Sequence, residues 1–120
     1  MLSRIRPLFV ENSSLPKILS KIAPIDIRAI ILGPLVFVKG LASPVTRRHE
    51  SIHLQQQIEL LFVGFYFLYI AWWVYNYITL RNGRFAYLEI PFEKEAYRND
   101  MKEGYLQSRK RYAWIDHIRN

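Results

Sequence analysis

Residues 60–80, LLFVGFYFLYIAWWVYNYITL, constrain the fold more than any other segment, because they contain no charged side chain. Only Asn76 and Thr79 are clearly polar. A helix of this length, rising about 1.5 Å per residue, reaches roughly the 30 Å thickness of a bilayer hydrocarbon core. We therefore predict a membrane-associated segment. The alternative is a buried helix, or two packed helices separated at Gly64, in a soluble cytoplasmic domain.

The preceding segment, residues 44–59, is polar and carries two histidines four positions apart, His49 and His53. On a helix both imidazoles lie on one face and can bind the same ion. Glu50 lies roughly 100° away around the helix, where its carboxylate can take a proton from a water molecule bound to that ion. This H-E-x-x-H arrangement is typical of zinc peptidases. Alternatively, the pair belongs to the solvated face of an ordinary helix, together with Gln55.

Because the chain contains no cysteine, zinc would need nitrogen and oxygen ligands, and residues 91–97, PFEKEAY, offer two carboxylates. H-E-x-x-H followed later by E-x-x-A resembles the gluzincin group of metallopeptidases. That resemblance implies that Glu93 is the third zinc ligand and that Ala96 is the small residue beneath it. Membrane-associated branches of the group have an aspartate, which supports a ligand histidine, where this chain has Tyr97. Glu95 is the competing ligand, and both glutamates also suit the N-terminus of a helix.

The two motif segments also resemble small proteins of Bacteroidetes and their phages that are described as metallopeptidases. This second resemblance covers about half the chain and implies no particular substrate. The gluzincin resemblance implies Zn²⁺ as cofactor and a peptide or protein as substrate. A different interpretation is a non-catalytic membrane or assembly subunit of a larger complex, whose metal motif is structural or vestigial. The formal net charge of +7 suits anionic lipid or nucleic acid. We expect no nucleic-acid partner, because the basic residues after residue 88 alternate with acidic ones.

The remaining segments predict an α+β fold, mostly helical, in a single small domain of residues 1–120. A short helix over residues 13–22 should end at Ala23 and Pro24. Residues 25–40 should form two short strands, or one bent strand, broken at Gly33 and Pro34. The other predictions are a helix cap at Ser43 or Thr46, a strand over residues 85–90 and a helix over residues 92–112. The basic residues Arg109, Lys110 and Arg111 should lie in or beyond the last turn of that helix, where cations complement the helix dipole. The run also suits a solvated face or contact with anionic lipid.

A straight membrane-crossing helix would separate His49 and His53 from Glu93, because Leu80 would emerge on the opposite side. We therefore expect the helix to break near Gly64, or to form a hairpin that dips into one leaflet. The first residues contain too short an apolar run for a cleavable signal peptide.

Several further side chains are secondary candidates. His117 could stabilise an oxyanion or bind the metal, although a lone histidine in a charged tail more often faces solvent. The tyrosines that could donate a hydrogen bond to a tetrahedral intermediate are Tyr97, Tyr105 and Tyr112. An edge strand over residues 35–39 could hold an extended peptide.

Overall fold

Six α-helices and a three-stranded sheet form the parts of the chain that the computed structural model describes, residues 6–20 and 29–119. The fold is therefore α+β and mostly helical, as the sequence predicts. The elements in chain order are β1 (Leu8–Val10), α1 (Leu15–Ser20), β2 (Ala29–Leu32), β3 (Leu35–Val38), α2 (Pro44–Glu59), α3 (Val63–Leu80), α4 (Gly83–Leu88), α5 (Pro91–Asn99), α6 (Tyr105–Ser108) and a 3-10 helix (Ala113–His117). The predicted end of the first helix, at residues 23 and 24, lies outside the described residues.

The sheet has the strand order β1-β3-β2. β3 pairs antiparallel with β2 and parallel with β1. The two-strand prediction is confirmed, with the turn at Gly33, whose φ of +59° suits glycine. The prediction of an edge strand over residues 35–39 is wrong, because β3 is the central strand and pairs with β2 on one edge and with β1 on the other. β1 is too short to show an alternating pattern in the sequence.

α2 and α3 are separate helices whose axes are bent by 111°. Ser43 caps α2, since its side chain accepts a hydrogen bond from the backbone N–H of Thr46. α2 ends before Leu61 and Phe62, which both have positive φ, a conformation that costs roughly 1 to 2 kcal/mol per residue. The predicted break is therefore confirmed, but it lies just before Gly64.

Among the described residues, no single helix is long and apolar enough to cross a membrane. α2 and α3 meet that requirement only as a pair, across their bend.

Two apolar clusters flank α2. One joins the sheet to α2, and its buried members are Ile31, Val36, Val38 and Leu54. The other joins α3 to α5 and the 3-10 helix, and its buried members are Phe65, Ile90, Phe92 and Trp114. α2 contacts β2, α3 and α5, and most of the polar side chains in its second half are buried among these elements.

Two predictions for the C-terminal half are wrong. Residues 85–90 do not form a strand: the side chain of Asn82 accepts a hydrogen bond from the N–H of Phe85 at 3.0 Å and starts α4. Within the predicted range of residues 92–112, the first helix ends at Asn99 and only the short helix α6 follows. Residues 100–104 lie between the two, and the φ of +80° at Gly104 cannot continue an α-helix.

The chain returns from the end of α3 to the histidines through α4 and α5. α4 contacts α3, and α5 contacts α2. This return places Glu93 beside the histidine pair without any extended chain along α3. A straight membrane-crossing helix would have separated Glu93 from the two histidines, and the observed return through α4 and α5 avoids that separation.

Candidate metal centre

Three side chains from two helices converge in the interior. His49 and His53 come from α2 and Glu93 comes from α5. The Nε2 atoms of the two histidines are 3.2 Å apart, and they lie 3.0 and 3.1 Å from Oε1 of Glu93. All three residues are buried. The three groups that the sequence motifs single out therefore face one point that a metal ion can occupy.

Asp100 orients His49. Its Oδ2 lies 3.0 Å from Nδ1 of His49, so Nδ1 carries a proton for this carboxylate and Nε2 faces Glu93. Tyr97 does not have this role: its ring packs edge-on against the imidazole of His49, and its hydroxyl bonds to that of Tyr87. The carboxylate that the gluzincin resemblance implies at position 97 is thus supplied three residues later, one turn along the chain.

Gln56 orients His53. Its side-chain nitrogen donates to the carbonyl of Phe92 at 3.0 Å and to Oε1 of Glu95 at 2.9 Å. Both acceptors identify that atom as nitrogen, so the amide oxygen of Gln56 faces Nδ1 of His53 at 2.7 Å. A carbonyl oxygen can only accept, and Nδ1 must therefore be protonated. The neutral form of His53 then has its lone pair on Nε2, directed at the common point.

Glu95 is not a ligand in this arrangement. Its oxygens accept hydrogen bonds from Arg109 (2.6 and 3.1 Å), Tyr105 and Gln56. Burial alone would raise the pKa of Glu95, but hydrogen bonding to Arg109 lowers it below the usual range. Arg109 also makes two bonds to Glu59, of 2.8 and 3.0 Å. The expectation that Arg109 complements a helix end is therefore wrong: it joins α2 to α5 as a buried ion pair.

The electrostatics of the centre suit a cation. Burial would lower the pKa of His49, but its bonds to Asp100 and Glu93 raise it to about 10. The pKa of His53 is likewise raised by Glu93 against the effect of burial. Burial would raise the pKa of Glu93, but the charge of His53 and bonds from both histidines hold it well below its usual range. Positive charge on the histidines stabilises the Glu93 carboxylate. A divalent ion can supply that charge in place of the protons that make the two histidines cationic.

Glu50 lies next to the centre but outside the converging group. It is buried, and it lines the same cavity as His49 and His53. Burial has the largest influence on the pKa of its carboxyl group and raises it, while the charges of His53 and His49 lower it. A carboxyl group with a raised pKa, next to a metal position, is suited to taking up and releasing a proton.

A cavity of about 560 Å³ opens over the centre. β2 forms part of its wall, together with residues of α2, α3, α4 and α5. Tyr69 reaches into the centre from α3, and its hydroxyl donates to Oε2 of Glu93 at 2.6 Å. Burial, followed by the charge of Glu93, raises the pKa of Tyr69, so the hydroxyl keeps its proton. Sequence reasoning missed Tyr69, because nothing marks it among the aromatic residues of α3 except its position four residues after the buried Phe65.

The secondary candidates lie in different places. Tyr97 lines the cavity. Tyr105 and Tyr112 instead bond to Glu95 and Glu59, so neither belongs to the cavity wall. His117 lies with its Nδ1 3.1 Å from Arg98, outside the converging group. Burial, and then the charge of Arg98, lower the pKa of His117.

Comparison with family models, with curated proteins and with solved structures gave no match for this chain. The gluzincin resemblance thus depends on the motif residues alone and stays a prediction.

Proposed function

We propose that this protein is a zinc-dependent metallopeptidase in which His49, His53 and Glu93 hold the ion and Glu50 is the general base. The observation that carries the proposal is the convergence of two Nε2 atoms and one carboxylate oxygen within hydrogen-bonding distance of one another. Two histidines and one glutamate are the donor set of many catalytic zinc sites, which leave a fourth position open. The hydrogen bonds of Asp100 and Gln56 support the same interpretation, since both direct Nε2 toward that position.

Zinc at this position would polarise a peptide carbonyl and bring the pKa of a bound water molecule close to neutral. The Glu50 carboxylate takes one proton from the attacking water as its oxygen bonds to the carbonyl carbon. The same carboxyl group then delivers that proton to the amide nitrogen as the C–N bond breaks, so that an acid and an amine leave. Tyr69 keeps Glu93 in place through its hydrogen bond.

The cavity suits an extended, apolar peptide. β2 borders the cavity and pairs with β3 on one side only, so among the described strands it is an edge strand. An extended peptide can pair with such an edge through backbone hydrogen bonds. Apolar side chains of the wall, including Val38 and Phe65, would contact the side chains of the peptide. This role replaces the one predicted for residues 35–39.

Metal analysis and peptide cleavage by the purified protein test the proposal together. We expect one zinc per chain, lost in His53→Ala and retained in His117→Ala. We expect Glu50→Gln to retain zinc and to cleave roughly 10² to 10⁴ times more slowly, as loss of a general base requires. A protein that binds no zinc after loading, or a Glu50→Gln variant that cleaves at the unchanged rate, would contradict the assignment.

A second function is a non-catalytic subunit of a larger membrane complex, in which the metal is structural. The exposed apolar side chains of α3 favour it, because monomeric proteins rarely expose such a surface. This function predicts bound zinc that stabilises the fold, with no peptide cleaved by either the original chain or Glu50→Gln.

A further inference from the structure

One face of α3 is apolar and exposed along the whole helix. Its side chains recur every three or four positions, so they lie on a single side of the helix. We name this surface the outer face of α3, and its members are Val63, Phe67, Ile70, Val74 and Ile78, with exposed fractions of 78%, 71%, 62%, 43% and 67%. The opposite side carries the buried Phe65 and contacts the rest of the protein.

The side chains of the outer face carry no polar group that would have to hydrogen-bond to water. No charged residue occurs between Leu60 and Leu80. The helical backbone satisfies its own hydrogen bonds, and Thr79 donates its hydroxyl to backbone carbonyls of its own helix. A surface of this kind is stabilised by contact with hydrocarbon.

An exposed basic residue lies at the C-terminal end of the outer face. Arg81 follows α3 directly and is exposed. Arg84, in the first turn of α4, is also exposed, but it lines the cavity over the metal centre and does not belong to the border of the outer face.

Exposed basic residues also lie at the N-terminal end. Arg109 and the backbone N–H of Tyr112 both bond to the carboxylate of Glu59, at the end of α2. The two residues between them, Lys110 and Arg111, are therefore held close to the junction from which α3 starts, and both are exposed. The side chain of Glu59 is buried and shares the charge of Arg109 with Glu95, whereas Lys110 and Arg111 are exposed. Exposed positive charges thus lie at both ends of the apolar face.

We propose that the outer face of α3 lies parallel to a membrane surface, immersed in one leaflet of anionic lipid, with basic residues on the headgroups at both ends. An apolar helix face with cations at its borders is the pattern of an interfacial helix. A parallel orientation, rather than a crossing one, follows from the packing of α3. Its inner side contacts Phe92 and Trp114 near the middle, and Asn76 bonds to Ala86 of α4 nearer the end.

This inference is independent of the proposed function, because it uses no residue of the metal centre. α3 lines the cavity through Phe65, Tyr66 and Tyr69, none of which is a member of the outer face. The outer face and the cavity therefore use different side chains of α3. Zinc content measured on the same preparations separates a failure of this inference from a failure of the metal assignment.

Vesicle flotation tests the binding. The full chain is mixed with vesicles of phosphatidylcholine alone, or of phosphatidylcholine with phosphatidylglycerol. We expect binding to the anionic vesicles, weakened by added salt. The double variant Phe67→Gln and Ile70→Gln should bind at least roughly tenfold more weakly, since each apolar side chain contributes on immersion. Met101→Gln removes an equally exposed apolar side chain elsewhere and is the matched control.

Charge is tested separately. The triple variant Arg81→Asn, Lys110→Gln and Arg111→Gln keeps the outer face. Each removed charge should reduce partitioning to anionic vesicles roughly fivefold. Circular dichroism establishes that each variant is folded.

The absence of cysteine allows the depth of α3 to be measured with single labels. Environment-sensitive fluorophores on Val63→Cys, Ile70→Cys and Ile78→Cys should all shift to the blue on anionic vesicles, and lipid-borne quenchers should place them at equal, shallow depth. The same label on Met101→Cys should not shift. A label at position 70 that lies deeper than the other two would indicate a crossing helix and overturn the parallel orientation.

Two other results would overturn the proposal. One is folded protein that stays unbound in the presence of anionic vesicles. The other is a dimer, detected by sedimentation, that dissociates in the Phe67→Gln and Ile70→Gln variant, because the occupant of the outer face would then be a second copy of the chain.

Discussion

Replacing Asp100 by alanine tests whether its carboxylate supports the metal centre. Asp100 and His49 are both buried, and Oδ2 lies 3.0 Å from Nδ1. A hydrogen bond to a charged group contributes roughly 1.5 to 3 kcal/mol. At about 1.4 kcal/mol per tenfold change, its loss should weaken zinc binding roughly 10- to 150-fold, which agrees with the usual effect of removing such a partner.

The variant leaves the surrounding backbone in place. Arg48 donates to the backbone carbonyl of Asp100 at 2.6 Å, and that bond does not depend on the side chain. Asp100→Asn retains an oxygen that can accept from Nδ1 of His49 but removes the negative charge, so its affinity should lie between those of the original chain and Asp100→Ala. Glu103→Ala, an exposed acidic residue in the following turn, is the matched control.

Zinc affinity is measured by competition with a chromophoric chelator at constant pH and salt. The order of affinity should be the original chain and Glu103→Ala first, then Asp100→Asn, then Asp100→Ala. If Asp100→Ala binds zinc as tightly as the original chain, the carboxylate does not support the metal, and the orientation of His49 has another cause.

Three further predictions concern the centre and its support. Tyr69→Phe should weaken zinc binding roughly tenfold in the same competition assay, because it removes the hydrogen bond to Glu93; an unchanged affinity would refute that role. The lowered pKa of Glu95 stabilises the fold above the unfolded pKa of about 4.5, and this contribution disappears as the pH falls below it. In urea unfolding without metal, the original chain should have a higher free energy of unfolding than Glu95→Gln near neutral pH, and this difference should become smaller in acid. A difference that does not change with pH would argue against the ion pair. Phe92→Ala should lower the unfolding free energy by roughly 3 to 5 kcal/mol, since Phe92 is fully buried, whereas the exposed Phe67→Ala should change it by less than about 0.5 kcal/mol; similar effects of both would contradict the packing.

The elements that the sequence predicts correctly are those that depend on near neighbours. The cap at Ser43 and the start of α2 follow from a serine and a proline placed side by side. The strand predicted over residues 85–90 was wrong because its local signal was ambiguous. Asn82 and Gly83 suit a turn and a helix start equally, and the helix that forms there packs against α3.

The approach of Glu93 to His49 and His53 was expected from the resemblance, and the structure places the three together. That they bind zinc stays a prediction. Their supporting residues could not be predicted. Asp100 is 51 positions from His49, and the bond from Gln56 to Glu95 spans 39 positions.

The sequence by itself determined that two imidazoles four residues apart share a helix face, that a carboxylate stands beside them, and that the next segment is apolar. These features follow from helix periodicity and composition. Only the tertiary structure decided which side of that segment is left exposed, which side chains support the histidines, and which carboxylates meet Arg109. Those outcomes depend on packing and on the pairing of buried charges between distant parts of the chain, which local patterns do not encode.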